Sequence, residues 1–93
     1  MTNPLADLLN RIKHDPAFDQ SLCRVFYRDF EGPAGTMSVP LITCMVESRN
    51  IRHGETIIPF HRITSVSYES WILYPFPDSE SLERIFAAIK NGR

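Results

Sequence analysis

Apolar residues recur near the start of the chain with a helical period. Leu5, Leu8, Leu9 and Ile12 follow the i, i+3, i+4, i+7 spacing of one buried face. Asn3 suits an N-cap and Pro4 the first helical position, so the pattern predicts a helix that begins there. Asp7 complements the positive end of that helix, and Arg11, Lys13 and His14 complement the negative end. Asp15-Pro16 stops it, because the residue before a proline avoids helical dihedrals. Phe18 is expected to anchor the loop beyond.

The period then changes to two. Leu22, Arg24, Phe26 and Arg28 alternate with Cys23, Val25 and Tyr27, and the second set is the cleaner core face. EGPAG, residues 31–35, reads as a turn. Residues 36–46 form a second extended segment, interrupted at Pro40. A tight turn is expected at Gly54, with a short strand on either side. Residues 61–69 and 71–76 complete an antiparallel meander joined near Glu69-Ser70.

Helical spacing returns in PDSESLERIFAAIKNG, residues 77–92. Asp78 or Ser79 caps this segment, Leu82, Ile85, Phe86 and Ile89 form its stripe, and Asn91-Gly92 end it. There is no internal repeat, linker or low-complexity stretch. The order helix, strands, helix predicts a single α+β domain over residues 1–93. It would be an antiparallel β-sheet of about four to five strands, flanked by an N-terminal and a C-terminal helix with both stripes in one core.

Composition narrows the function classes. With 93 residues, 43% of them hydrophobic, the chain fits one compact domain. A net charge of -1 gives no global basic footprint for nucleic acid. The local distribution differs, since Arg49, Arg52, His53, His61 and Arg62 lie close together, opposed there only by Glu55. Cys23 and Cys44 sit in apolar, strand-like settings without metal-ligand spacing, so reduced, buried thiols are expected. Asn3, Asp7 and Arg11 interrupt any secretory core near the start, and no apolar run approaches a membrane span. A cytoplasmic, reducing location is the expectation.

The stretch GETIIPFHRITSV, residues 54–66, places His61 and Arg62 just after a proline. Proline has no backbone donor and belongs at strand ends or bulges. Ile63 and Val66 have opposite parity, so both reach the core only if a bulge intervenes. Two readings follow. His61 is a half-buried histidine satisfied by a carbonyl, with Arg62 in a surface ion pair, or the break turns both side chains toward one cleft. Arg11, Lys13 and His14 are similarly either a solvated helix end or an added positive wall. Arg24 and Arg28 share one strand face and are either simply exposed or line a groove. Tyr27, Tyr68, Trp71 and Tyr74 are core residues or stacking platforms. Asp15 and Asp29 read as turn caps rather than metal ligands. An acid–base pair drawn from His14, His53 and His61 has no supporting motif: no His-x-Thr pair, Cys-His arrangement or Gly-rich phosphate loop is present. No catalytic residue, metal or cofactor is assigned.

The same stretch resembles the hallmark of the RNA cyclic group end recognition domain family, through Gly54, Ile58, Pro59, His61, Arg62 and Ile63. LLNRIKHDPAFD is similar to that family's leucine-rich helix ending in Asp-Pro, and VFYRDFEG to its Tyr-x-Asp strand end, matched by Tyr27 and Asp29. The resemblance covers roughly residues 4–74 and leaves the helix at about 78–91 outside it. The chain departs at His14, where the family often has Trp, at Phe30, where it often has Arg, and at LYPF around Tyr74, where it has a closing Trp-x-Arg. The resemblance implies recognition of RNA ends bearing a phosphate or 2′,3′-cyclic phosphate, in RNA repair or processing, with a processing enzyme as a partner. It makes His61 and Arg62 phosphate contacts, with Arg11, Lys13, His14, Arg24, Arg28 and Arg52 as further RNA-binding candidates. The alternative is a protein-interaction or regulatory module on the same scaffold, using an open sheet edge near Pro40 or Pro59.

Overall fold

In the computed structural model, residues 3–28 and 35–91 are described. Asp29, Phe30, most of the expected turn that follows them, and Gly92 lie outside the described residues. Helix α1 spans Pro4–His14, and Asn3 Oδ1 accepts the Leu5 N–H at 2.9 Å as its N-cap. Seven strands follow among the described residues: β1 (Cys23–Arg28), β2 (Thr36–Pro40), β3 (Cys44–Val46), β4 (Asn50–His53), β5 (Thr56–Pro59), β6 (Ile63–Tyr68) and β7 (Trp71–Tyr74). Helix α2 spans Ser79–Asn91. The class is α+β, as the pattern predicts.

The strands divide into two antiparallel sheets, a four-stranded one ordered β2-β1-β6-β7 and a three-stranded one ordered β3-β4-β5. The prolines account for the division. Pro40 and Pro59 are each the last residue of a strand, and each is followed by a single 3-10 turn, Leu41–Thr43 and Phe60–Arg62. Without an N–H, proline cannot extend the ladder, and its fixed φ sits within the extended range. The chain therefore leaves one sheet and enters the other at each corner. Pairing runs from β1 to β2, from β3 through β4 to β5, and from β6 back to β1. The two sheets are thus joined by the chain itself at the two corners and not by strand pairing.

The parity conflict between Ile63 and Val66 is settled by a bulge. Phe26 pairs with Ser65 and Tyr27 with Ile63, which leaves Thr64 as the extra residue. Its hydroxyl donates to the Phe26 carbonyl at 3.2 Å. Ile63 and Val66 are consequently both buried.

One core receives residues from both helices and both sheets. Phe18 joins them, with its ring edge-on to Tyr68 at 5.6 Å and to Phe86 of α2 at 5.3 Å. Phe86 and Ile89 of α2 are buried, while Leu82 and Ile85 are half-buried against the core. Polar contacts between the two ends of the chain surround this packing. Arg11 pairs with Glu83 at 3.0 Å, its guanidinium lies 4.1 Å from the Phe86 ring centroid, and Lys90 pairs with Asp15 at 3.0 Å. Asp78 caps α2 by accepting the Ser81 N–H at 3.1 Å and its hydroxyl at 2.7 Å. No helix among the described residues is long and apolar enough to cross a membrane.

These carboxylates tie the pH response of the fold to α2. A backbone hydrogen bond from Ala17, then Lys90, lowers the Asp15 pKa. Bonds from Ser81 lower that of Asp78, and Arg11 lowers that of Glu83. Folded values below the unfolded ones mean that the stabilisation is present above the unfolded pKa and lost as pH falls through the folded values. Stability should therefore decline on acidification below about pH 4, with helical circular dichroism reporting the loosening of α2. An Asp15→Asn, Glu83→Gln variant should show a weaker acid dependence, and an unchanged one would refute the assignment.

Cys23 and Cys44 are buried free thiols. Desolvation, with a smaller contribution from neighbouring Cys44, pushes the Cys23 thiol up to about 12, and desolvation also raises Cys44. Since the thiolate is the reactive form, both should resist alkylation in native protein at neutral pH and react fully once it is unfolded. Rapid native labelling of either residue would contradict this.

Candidate functional site

The motif begins at a two-residue hairpin turn. His53 pairs with Thr56 across Gly54-Glu55, and Gly54 has φ +61°, in the left-handed region that a side chain makes costly. From this turn β5 runs to Pro59, and the 3-10 turn Phe60–Arg62 carries the chain into β6.

A 3-10 turn advances about 120° per residue, so its three side chains fan outward in different directions. Phe60 is buried, His61 exposed and Arg62 half-buried. A regular strand would instead have sent His61 and Arg62 to opposite faces. The Phe60 N–H donates to the Arg49 carbonyl at 3.0 Å, which fixes the corner against the start of β4 and brings Arg49 beside it. On the other side, the last recorded pair of the β1–β6 ladder is Tyr27 with Ile63. One step further along the two chains stand Arg28 and Arg62. Arg28, Arg49, His61 and Arg62 thus collect around one corner of the fold, and the first three are exposed.

The second corner has the same path with different chemistry. There the turn residues are Leu41, Ile42 and Thr43, and Leu41 is buried as Phe60 is. Thr43 donates its hydroxyl to the Pro40 carbonyl at 2.9 Å, at the position where the first corner has Arg62. Ile42, 54% exposed, stands where the first corner has His61. One corner is therefore a capped structural turn and the other carries imidazole and guanidinium.

The remaining predicted residues lie elsewhere. Arg24 is exposed at the far end of β1 and donates to Ser38 Oγ at 3.0 Å. Lys13 Nζ donates to Gln20 Oε1 at 3.0 Å and to the Leu41 carbonyl at 3.2 Å, fastening α1 to the second corner. Arg11 is engaged with Glu83 and Phe86 between the helices. His14 is exposed at the end of α1. Arg52 lies on the outer face of the three-stranded sheet, 3.5 Å from Glu47. Of the aromatic residues, Tyr27 and Tyr68 are buried, and the Tyr68 hydroxyl accepts the Asp19 N–H at 2.7 Å. Trp71 is 41% exposed, and Tyr74 packs edge-on to Phe76 at 4.9 Å. Asp15 accepts the Ala17 N–H at 2.9 Å, the turn-capping role expected of it. Sequence spacing did not single out Arg49 as a site residue, although it stood in the local run of cations. Its place at the corner depends on the β4–β5 pairing.

A cleft of about 360 Å³ lies between α1 and α2, lined by residues including Leu8, Arg11, Phe76, Leu82 and Phe86. Neither His61 nor Arg62 contributes to it.

The fold and this corner define a small α+β domain with a localised cationic surface. The family model of the MJ1316 RNA cyclic group end recognition domain matches residues 1–74, and the chain belongs to that family. RNA-end binding is the activity that the family's name describes. Helix α2 and the residues that build its side of the cleft lie beyond the matched region. No curated protein and no solved structure matches the chain.

Gly54 provides a test of how the motif is held. A Cβ built there would meet nothing within 4 Å, so the cost of a side chain comes from the backbone alone. Gly54→Ala should lose about 1–2 kcal/mol of stability in urea unfolding, and Gly54→Asn less. Equal stability in all three proteins would show that the turn does not require the left-handed conformation.

Proposed function

We propose that the protein binds RNA ends carrying a terminal phosphate or 2′,3′-cyclic phosphate, with His61 and Arg62 as the contacts to that group. The observation that carries this reading is the difference between the two corners. They follow the same backbone path, yet one presents Ile42 and a capped Thr43 while the other presents His61 and Arg62 with Arg28 and Arg49 alongside. A folding requirement common to both corners does not call for those two side chains. The chemistry suits a phosphate. A guanidinium presents a planar fork to two oxygens, and an imidazole ring can donate to an oxygen in either protonation state. Arg28 and Arg49 would add charge at the rim. A role in RNA repair or processing, in company with a processing enzyme and in a reducing cytoplasmic setting, is part of the same proposal.

A second reading, a protein-interaction module, is favoured by one surface. Met45, Arg52 and Ile57 form a cross-strand row on the outer face of the three-stranded sheet, with Met45 65% and Ile57 53% exposed.

The experiment is a titration of labelled short RNAs ending in 3′-hydroxyl, 3′-phosphate or 2′,3′-cyclic phosphate. Arg62→Ala should weaken binding to the phosphorylated ends by about 1.5–3 kcal/mol, more than tenfold. Binding of the 3′-hydroxyl RNA should change far less. Arg62→Lys should also lose affinity, because charge is kept but the fork is not. Equal losses on all ends, or no binding of any RNA by the wild type, would leave the interaction module as the better account.

A further inference from the structure

The outer face of the four-stranded sheet carries a feature that the end site does not use. β1 alternates cleanly, with Cys23, Val25 and Tyr27 buried and Arg24, Phe26 and Arg28 turned the other way. Phe26 is half-buried, yet it belongs neither to the core nor to the apolar residues packed against it. Its cross-strand neighbours are Ser38 on β2 and Ser65 on β6, both too short to cover a ring. Beside Arg24 stand Pro40 and Ser67. The four strands together contain two arginines and no aspartate or glutamate. An aromatic ring flanked along its own strand by two cations, among hydroxyls and with no carboxylate in the described strands, is suited to a polyanion that also offers flat rings.

The geometry points to this face as a track for single-stranded RNA leading into the end site: Phe26 stacks on a base, and Arg28 and Arg24 hold the phosphates on either side. The inference rests on the end-binding reading and adds to it the kind of RNA taken, an unpaired 3′ segment rather than a blunt duplex. Continuity with the site comes from Arg28, which follows Tyr27, the partner of Ile63 just past the corner, and lies next but one to Phe26 on the strand. Strand rise separates the Cα atoms of Arg24 and Arg28 by about 13 Å, enough to follow a backbone on both sides of a stacked base. Stacking requires the base to be free of its partner, so a paired end cannot use the ring.

The test uses the whole chain and two probes, a single-stranded octanucleotide and a blunt hairpin with the same terminal nucleotide. Each is prepared with a 2′,3′-cyclic phosphate and with a 3′-hydroxyl. The octanucleotide should bind about tenfold more tightly than the hairpin, and Phe26→Leu should remove that advantage. Arg24→Gln should reduce the slope of log affinity against log salt by about 0.7. Thermal unfolding checks that Phe26→Leu still folds. Independently of any variant, 2-aminopurine placed near the 3′ end should be quenched by stacking when wild-type protein binds. Equal affinity for octanucleotide and hairpin, an unchanged Phe26→Leu, or no quenching would overturn the track. If a preference for the cyclic end persisted in that case, the end-binding reading would stand without it. Octanucleotide binding that ignores the end group but is lost in Phe26→Leu would do the reverse.

Discussion

The missing N–H of proline at two strand ends is the constraint from which this structure follows. Pro40 and Pro59 stop the ladders they belong to, and each hands the chain to a 3-10 turn that leads into the other sheet. A short chain is thereby folded into two sheets, and the chain re-enters the first one at β6, which pairs with β1, so both sheets share one core without a long strand. Leu41 and Phe60, the first residue of each turn, are driven inward and hold the corners by burial. Of the residues that follow, Ile42, Thr43 and His61 are exposed and Arg62 is half-buried.

The two corners are finished differently. At Leu41–Thr43 the chain closes on itself through the Thr43 hydroxyl and is tied to α1 by Lys13. At Phe60–Arg62 the Ile63 N–H closes the turn on the Phe60 carbonyl, as the Cys44 N–H does on Leu41 at the other corner, and the Arg49 carbonyl holds Phe60 from outside. The two turns thus share a shape and differ in the side chains they carry.

Charge is distributed along the same lines. Two ion pairs, Glu83 with Arg11 and Asp15 with Lys90, fasten the helices to each other. Exposed pairs of this kind are individually weak, and Phe18, Phe86 and Ile89 supply the burial that makes the helix dock. The four-stranded sheet has no carboxylate in its strands, so Arg24 and Arg28 are not neutralised within it. A nearly neutral chain consequently still places two arginines and no carboxylate within the strands of one sheet.

The helices, their caps and their buried stripes were legible from periodicity, because Leu5 to Ile12 and Leu82 to Ile89 each repeat within a single turn-to-turn pattern that needs no distant partner. The bulge near Ile63 was legible too, as a parity conflict that only an extra residue can relieve, and so was the tight turn at Gly54, though not its left-handed backbone. The division into two sheets was not, since it depends on which strands Pro40 and Pro59 separate, and alternation alone carries no record of pairing partners. Arg49 and Arg28 beside the His61–Arg62 corner, and the separation of Arg11, Lys13 and Arg52 from it, follow from those pairings. The sequence by itself determined the elements, the class and the motif that marks the family, because each is written in local spacing. Only the tertiary structure decided which cations share a surface, because that is set by strand register between residues far apart in the chain.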